Sequence, residues 1–263
     1  MKAVIGQYVP GDSLLHKADP RTKLLCVIAF MVAVMLINTF IGYAVALAFV
    51  ILAIIVSKIP VKMVLKSIRP LAFILIFTVI LNVFFYRGET LLWEWWIFHI
   101  YREGIIFAIQ MMFRIIILVT GASMLTFTTT SMALTDGMEK LLSPLKIIKF
   151  PAAEIAMMMS IALRFIPTFS EETDRLMKAQ SSRGANFDTG HFMEKIRSFI
   201  PIIIPLIISA FRRAEDLAVA MESRCYRGGS GRTRYRVLKF TWRDIIVAGA
   251  TAALMAVIIV FKI

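Results

Sequence analysis

Residues 24–57 read LLCVIAFMVAVMLINTFIGYAVALAFVILAIIVS, 34 positions without a charged side chain. The hydrocarbon core of a bilayer, about 30 Å thick, takes about 20 helical residues, so this run is too long for one crossing. Near its middle, Asn38, Thr39 and Gly42 supply turn chemistry. The stretch therefore predicts a helical hairpin that crosses twice.

Working outward, Pro70–Tyr86 is a third apolar run, Gly104–Thr130 a fourth that contains Arg114, and Ile245–Phe261 a last one opened by Trp242. Of the 263 residues 59% are hydrophobic and 18% charged, against about 45–50% apolar in soluble domains. Together with a mean hydropathy of +0.78, this excludes an ordinary soluble globule. The expected fold is an all-α integral membrane protein of about five transmembrane helices. Residues 1–130 hold the first four, 131–241 form a cytoplasmic region, and 242–263 hold the last.

Basic residues orient the spans, because Lys and Arg concentrate on the cytoplasmic side. Lys17, Arg21 and Lys23 precede the first span, and Lys58, Lys62, Lys66 and Arg69 lie between the second and third. The loop Arg87–Glu103 instead carries Glu89, Glu94 and Glu103 with Trp93, Trp95 and Trp96, which suits an outer interface. Parity then places Ser131–Trp242 inside, where 17 Lys and Arg face 11 Asp and Glu, a net +6 out of +13. In the alternative topology Phe150–Phe169 and Ile200–Phe211 also cross. Glu154 and Arg164 oppose the first crossing, each at about 2.5–3.5 kcal/mol near a helix centre, and the second is short for a span.

The cytoplasmic region carries amphipathic helices. Glu171–Arg175 and Asp174–Lys178 are acid-before-base pairs at i, i+4. Phe192, Ile196, Phe199, Ile200, Ile203 and Ile207 form an apolar stripe at spacings of three and four. Pro201 and Pro205 predict an elbow there, since each lacks an amide donor. At an offset of 41 residues Asp174 matches Glu215, Leu176 Leu217, Ala179 Ala220, Ser182 Ser223, Arg183 Arg224 and Gly190 Gly231. Both segments thus end in Ala-x-x-Ser-Arg. Each end by itself reads as an arginine favoured by the helix dipole before a terminating glycine, Gly184 or Gly228. Their recurrence points to a paired docking device.

Here the chain resembles a family, the transmembrane T component of energy-coupling factor (ECF) type ABC transporters. The resemblance rests on Tyr8-Val9-Pro10-Gly11-Asp12-Ser13-Leu14-Leu15-His16-Lys17-Ala18-Asp19-Pro20-Arg21-Thr22-Lys23 before the first span. It rests also on Leu134–Leu145 (LTDGMEKLLSPL) after the apolar core, and on Ser182-Arg183-Gly184 and Ser223-Arg224-Cys225. These last two are similar to the arginine motifs that end the family's coupling helices, with Cys225 where the motif has glycine. The resemblance implies two cytoplasmic ABC ATPase subunits docked on the coupling helices, through Ser182, Arg183, Gly184, Ser223, Arg224 and Cys225. It also implies a membrane-embedded substrate-binding S component against the apolar faces, serving uptake of vitamins or other micronutrients. The physics is compatible, because a planar guanidinium engages carboxylates and carbonyls bidentately and lysine does not replace it.

Other chemistries lack residues. No phosphate-loop run exists, since 228–233 (GGSGRT) lacks the spacing and the lysine, so ATP hydrolysis belongs to partners. His16, His99 and His191 are scattered, which forms no metal or nucleophile constellation and implies no cofactor. Cys26 and Cys225 fall at different depths and predict no disulfide. Met1–Lys23 lacks a secretory signal pattern. The basic tail Arg224–Lys239 reads as a surface for anionic lipid headgroups rather than nucleic acid, and Met157, Met158 and Met159 as adaptable packing. Arg114, the ionisable residue inside a span, is either an intramembrane functional group or a structural partner of an acid or carbonyl. A self-sufficient secondary transporter or channel is the rival reading and would need such groups along a midplane path.

Overall fold

The computed structural model describes residues 8–86, 88, 90–95, 98–148, 150–185, 187, 192–226, 228 and 240–260. The chain packs as two compact units, 6–137 with 238–263, and a second built from 138–237.

The first unit opens with the short helix α1 (Leu14–Lys17), then α2 (Pro20–Met35) and α3 (Phe40–Ser57). The predicted hairpin is present. Thr39 caps α3, its side chain accepting from the Gly42 amide, which satisfies one of the orphan donors of a helix start. Lys58–Arg69, expected as a basic loop, is mostly the helix α4 (Val61–Ile68). A 3-10 turn (Arg69–Leu71) carries it past Pro70 into α5 (Ala72–Phe85). A proline at the start of such a turn gives up no required amide bond.

The loop between α5 and the next long helix carries a short β-hairpin. Leu91–Trp95 (β1) and Phe98–Tyr101 (β2) pair antiparallel, with Trp93 opposite Ile100 and Trp95 opposite Phe98. Aromatic and β-branched residues favour a pleated surface, and the run is too short for a helix to compete. Arg87, Glu89 and Trp96 lie outside the described residues. The long α6 (Arg102–Thr128) follows, then α7 (Ser131–Leu142), in which the boundary between the units falls, and α10 (Trp242–Val260) returns to the first unit. The core of this unit joins Phe30, Val34 and Ile37 of the hairpin to Tyr43, Ala46 and Val50, Ile117 of α6, and Leu254 and Ile258 of α10. Gly121 allows the close approach of α2, since a Cβ there would collide with the Phe30 ring.

The second unit contains a 3-10 segment (Ser143–Ile148), α8 (Ala152–Ser182) and α9 (Phe192–Glu222). α9 passes through Pro201 and Pro205 as one helical element where an elbow was expected. Removal of two amide donors weakens the ladder locally without ending it, as at Pro167 inside α8.

Among the described residues five helical segments are long and apolar enough to cross a membrane: Phe40–Ser57, Val61–Phe85, Arg102–Thr128, Ala152–Ser182 and Trp242–Val260. The chain is an all-α membrane protein, and length and composition alone select these five segments. α2 has 16 residues, about 24 Å at 1.5 Å per residue, and falls short of that length although it packs against α6 and α10. α8 reaches the criterion as the least apolar of the five. Its first half had been kept on the cytoplasmic side because of Glu154 and Arg164.

Candidate functional site

The two arginine-bearing helix ends close with the same hydrogen bonds. After α8 the Gly184 amide donates to Ser181 O at 3.0 Å and the Ala185 amide to Gln180 O at 3.0 Å. After α9 the Cys225 amide donates to Glu222 O at 2.9 Å and the Tyr226 amide to Met221 O at 3.0 Å. Each is a Schellman motif, which needs a left-handed residue after the cap. Gly184 provides it at φ +89°, and Cys225 adopts it at φ +56°. The cysteine in the glycine position therefore leaves the backbone geometry intact, at a strain of about 1–2 kcal/mol for a residue with a Cβ.

Ser182 and Ser223 turn back onto their own helices, donating to Lys178 O at 3.0 Å and Ala220 O at 3.1 Å. Arg183 and Arg224 are exposed. Neither guanidinium has a hydrogen-bonded or ionic partner among the described residues. Gly190 and Gly231, the last pair of the 41-residue correspondence, lie outside the described residues, as do Arg227 and most of the basic tail.

Glu172 of α8 and Arg213 of α9 meet at 3.1 Å, with the guanidinium 5.9 Å from the Phe169 ring centroid. These positions are themselves 41 apart. A plain antiparallel hairpin about the 183–191 connection would set Glu172 opposite Ile202. Equivalent positions meet instead, so Arg183 and Arg224 each stand 11 residues beyond the meeting point, about 16 Å of helix. Between them α8 and α9 leave Met158, Ile166, Ile203, Ile207 and Phe211 exposed, an apolar surface too extensive for water.

Arg114 is engaged within the first unit. Its Nη2 donates to Ile37 O at 2.6 Å and its Nε to Tyr43 Oη at 3.0 Å, with the Tyr43 ring centroid 5.9 Å away. Ile37 O also accepts from Tyr43 Oη at 3.2 Å. The arginine thereby holds the α2–α3 turn, whose carbonyls lack helical donors.

A second polar constellation was not singled out from sequence. Lys23, 3% exposed, donates to His16 O at 3.1 Å, Thr128 O at 3.0 Å and Thr129 Oγ1 at 3.2 Å. All three ammonium donors are thus used. Asp244, also 3% exposed, accepts from the Asp19 amide on one oxygen and the Thr241 amide on the other, both at 2.6 Å. His16 Nε2 donates to Val9 O at 2.9 Å while Nδ1 accepts from Ser13 Oγ at 2.7 Å, and the Val9 amide donates to Phe127 O at 3.0 Å. The segment 9–23 therefore caps the C-terminal carbonyls of α6, Phe127 and Thr128.

The same segment holds neighbouring chain. Arg21 stacks over the Phe240 ring at 5.6 Å. Gly137 lies so close to Pro20 that a Cβ would sit 3.0 Å from the Pro20 Cβ. Two of the stretches that carry the family resemblance are thereby in contact. At the exposed edge the Lys17 ammonium, 2.8 Å from Asp12, holds that carboxyl below its usual range through its hydrogen bond and charge. Among the described residues no group of three His, Cys, Asp or Glu side chains could hold a metal ion.

Comparison with known proteins adds to this geometry. Residues 11–235 match the family model CbiQ, described as cobalt transport protein. The chain is 54% identical to the energy-coupling factor transporter transmembrane protein EcfT of Ruminiclostridium cellulolyticum, over 98% of this chain and 96% of that one. It is 49% identical to the protein of the same name from Brevibacillus brevis, over 97% and 96%. With that of Lactococcus lactis subsp. cremoris it shares 45% identity over 93% and 92%.

Proposed function

From the premise that the chain belongs to the CbiQ family of transmembrane transport components, we propose that it is the non-catalytic scaffold of an ECF-type importer. It receives two cytoplasmic ATPase subunits, one at Ser182-Arg183-Gly184 and one at Ser223-Arg224-Cys225. It couples their ATP hydrolysis to uptake of vitamins or other micronutrients through a membrane-embedded S component. The N-terminus and the 131–241 region face the cytoplasm. The S component covers the exposed apolar faces of α8 and α9, and lipid covers the remainder.

The observation that supports this reading most is the equivalence of the two helix ends. They have the same closing hydrogen bonds, the same exposed arginine, and arms of equal length beyond the Glu172–Arg213 contact. Two equivalent projections suit two equivalent or homologous partners, and a guanidinium suits a groove lined with carboxylates and carbonyls. The rival reading, a self-sufficient secondary transporter or channel, loses its main carrier because Arg114 is committed to Ile37 O and Tyr43.

The test is the double variant Arg183→Glu/Arg224→Glu in cells that accumulate a tritiated vitamin through this chain. Charge reversal replaces five-donor groups by acceptors and repels acidic grooves. ATP-driven uptake is expected to vanish while the protein still inserts in the membrane. Wild-type uptake by the double variant would remove the docking assignment.

A further inference from the structure

Chain leaves the membrane unit through the end of α6 and the first half of α7, and re-enters it through Phe240 and Thr241 at the head of α10. Every polar contact of the buried constellation falls on one of these two connections or on the N-terminal segment. On the outgoing side are Phe127 O, bonded to the Val9 amide, and Thr128 O and Thr129 Oγ1, bonded to Lys23. Gly137, packed on Pro20, is the last residue of the membrane unit before the chain passes to the other. On the returning side Phe240 lies under Arg21, and Asp244 binds the Thr241 amide together with the Asp19 amide. The Asp19 amide, bonded to Asp244, and the Lys23 ammonium, bonded to Thr128 O, lie four residues apart on one segment, so the two sides meet on it.

We infer that the segment 9–23, through the buried Lys23, Asp19 and Asp244, is a clamp that fixes both chain connections to the membrane helices, so that movement of the coupling region is delivered to the membrane unit rather than dissipated in the connections. Lys23, Asp19 and Asp244 are positioning residues, since their hydrogen bonds go to backbone carbonyls, backbone amides and the Thr129 hydroxyl. A flexible tether could sit at the same places with exposed, solvated caps. Burial of a lysine with all three donors directed at two different helices and a loop instead resists displacement, because any shift exposes an unpaired charge to a low-dielectric surrounding. The inference rests on the coupling function proposed above.

The experiment separates the two. The complex is purified through a tag on this chain, reconstituted in liposomes, and assayed for ATP turnover and for uptake of whichever of tritiated riboflavin, thiamine, biotin or folate the wild type accumulates. Thr129→Val removes one of the three Lys23 contacts with little change of volume, and Asp244→Asn replaces one acceptor oxygen by a donor facing an amide. Both variants are expected to keep the bound ATPases and to turn over ATP within twofold of wild type. Uptake per ATP should fall at least threefold in the first and tenfold in the second. An unchanged ratio in both, or parallel loss of turnover and uptake in step with the amount of intact complex, overturns the clamp. If Asp244→Asn fails to assemble, the ratio measured on Thr129→Val decides alone. Arg183→Glu/Arg224→Glu run alongside loses the ATPases themselves if the coupling reading holds. Retention of ATPases and uptake there would count against that reading, whatever the clamp variants do.

Discussion

Exchanging the residues that close the two helix ends tests their equivalence directly. Cys225 holds a left-handed backbone at φ +56°, where a Cβ costs about 1–2 kcal/mol. Cys225→Gly relieves that strain but adds unfolded-chain freedom worth about 0.5–1 kcal/mol. The net gain is about 0.5–1 kcal/mol, which at about 1.4 kcal/mol per factor of ten amounts to about two- to fivefold. Gly184→Ala does the reverse at the other end, where a Cβ would meet nothing within 4 Å and only the backbone conformation at φ +89° resists. The reporters are the amides that close each motif, Tyr226 onto Met221 O and Ala185 onto Gln180 O. Hydrogen exchange in detergent or nanodiscs should show the Tyr226 amide slowed about two- to fivefold in Cys225→Gly. The Ala185 amide should be accelerated by a similar factor in Gly184→Ala, with neither substitution affecting the opposite end. Unchanged exchange at both amides would refute the claim that the two ends share one left-handed closing geometry.

Three further outcomes follow from the same contacts. Arg114→Met should lower the stability of the purified chain by about 1.5–3 kcal/mol, the worth of a hydrogen bond from a charged donor, here the guanidinium on Ile37 O, which keeps only its bond from Tyr43 Oη, read as a lower thermal midpoint. Arg114→Lys should recover part of it. Lys23→Met should cost about 1–3 kcal/mol, because it leaves the His16 and Thr128 carbonyls without the ammonium that binds them. Denaturant unfolding checks this, and a change below about 1 kcal/mol would contradict the buried network. A double-mutant cycle on Glu172→Gln and Arg213→Gln should give a coupling of about 0.5–1 kcal/mol for this half-exposed pair. Strict additivity would remove the meeting point of α8 and α9.

The apolar runs were legible because composition and length decide them locally. The stretch 24–57 could only be a hairpin, and Arg114 stood out as a charge among them. The matched ends were legible as sequence, since Ser-Arg recurs at a fixed offset, but their shared geometry was not. A left-handed cysteine has no sequence signature, and Cys225 read as a departure until its hydrogen bonds were seen. The clamp was hidden for another reason. Lys23 looked like one more cytoplasmic charge beside Lys17 and Arg21, and its partners lie 105 and 106 residues away, while Asp19 finds Asp244 at a separation of 225. The Asp19-Pro20 pair was a readable helix start; nothing local announced that it would be buried. In α8 the sequence points two ways, since its first half is long and apolar enough for a span while Glu154 and Arg164 oppose insertion.

The central claim is that two ATPase subunits dock on one chain through two equivalent arginine-bearing ends. The most direct measurement is the mass of the complex purified in mild detergent through a tag on this chain, for the wild type and for Arg183→Glu, Arg224→Glu and the double variant. The account predicts two ATPase subunits per chain in the wild type, their loss from the double variant, and an intermediate, less stable complex for each single variant. A chain that purifies without ATPases yet transports in liposomes, or a double variant that retains both, would contradict it.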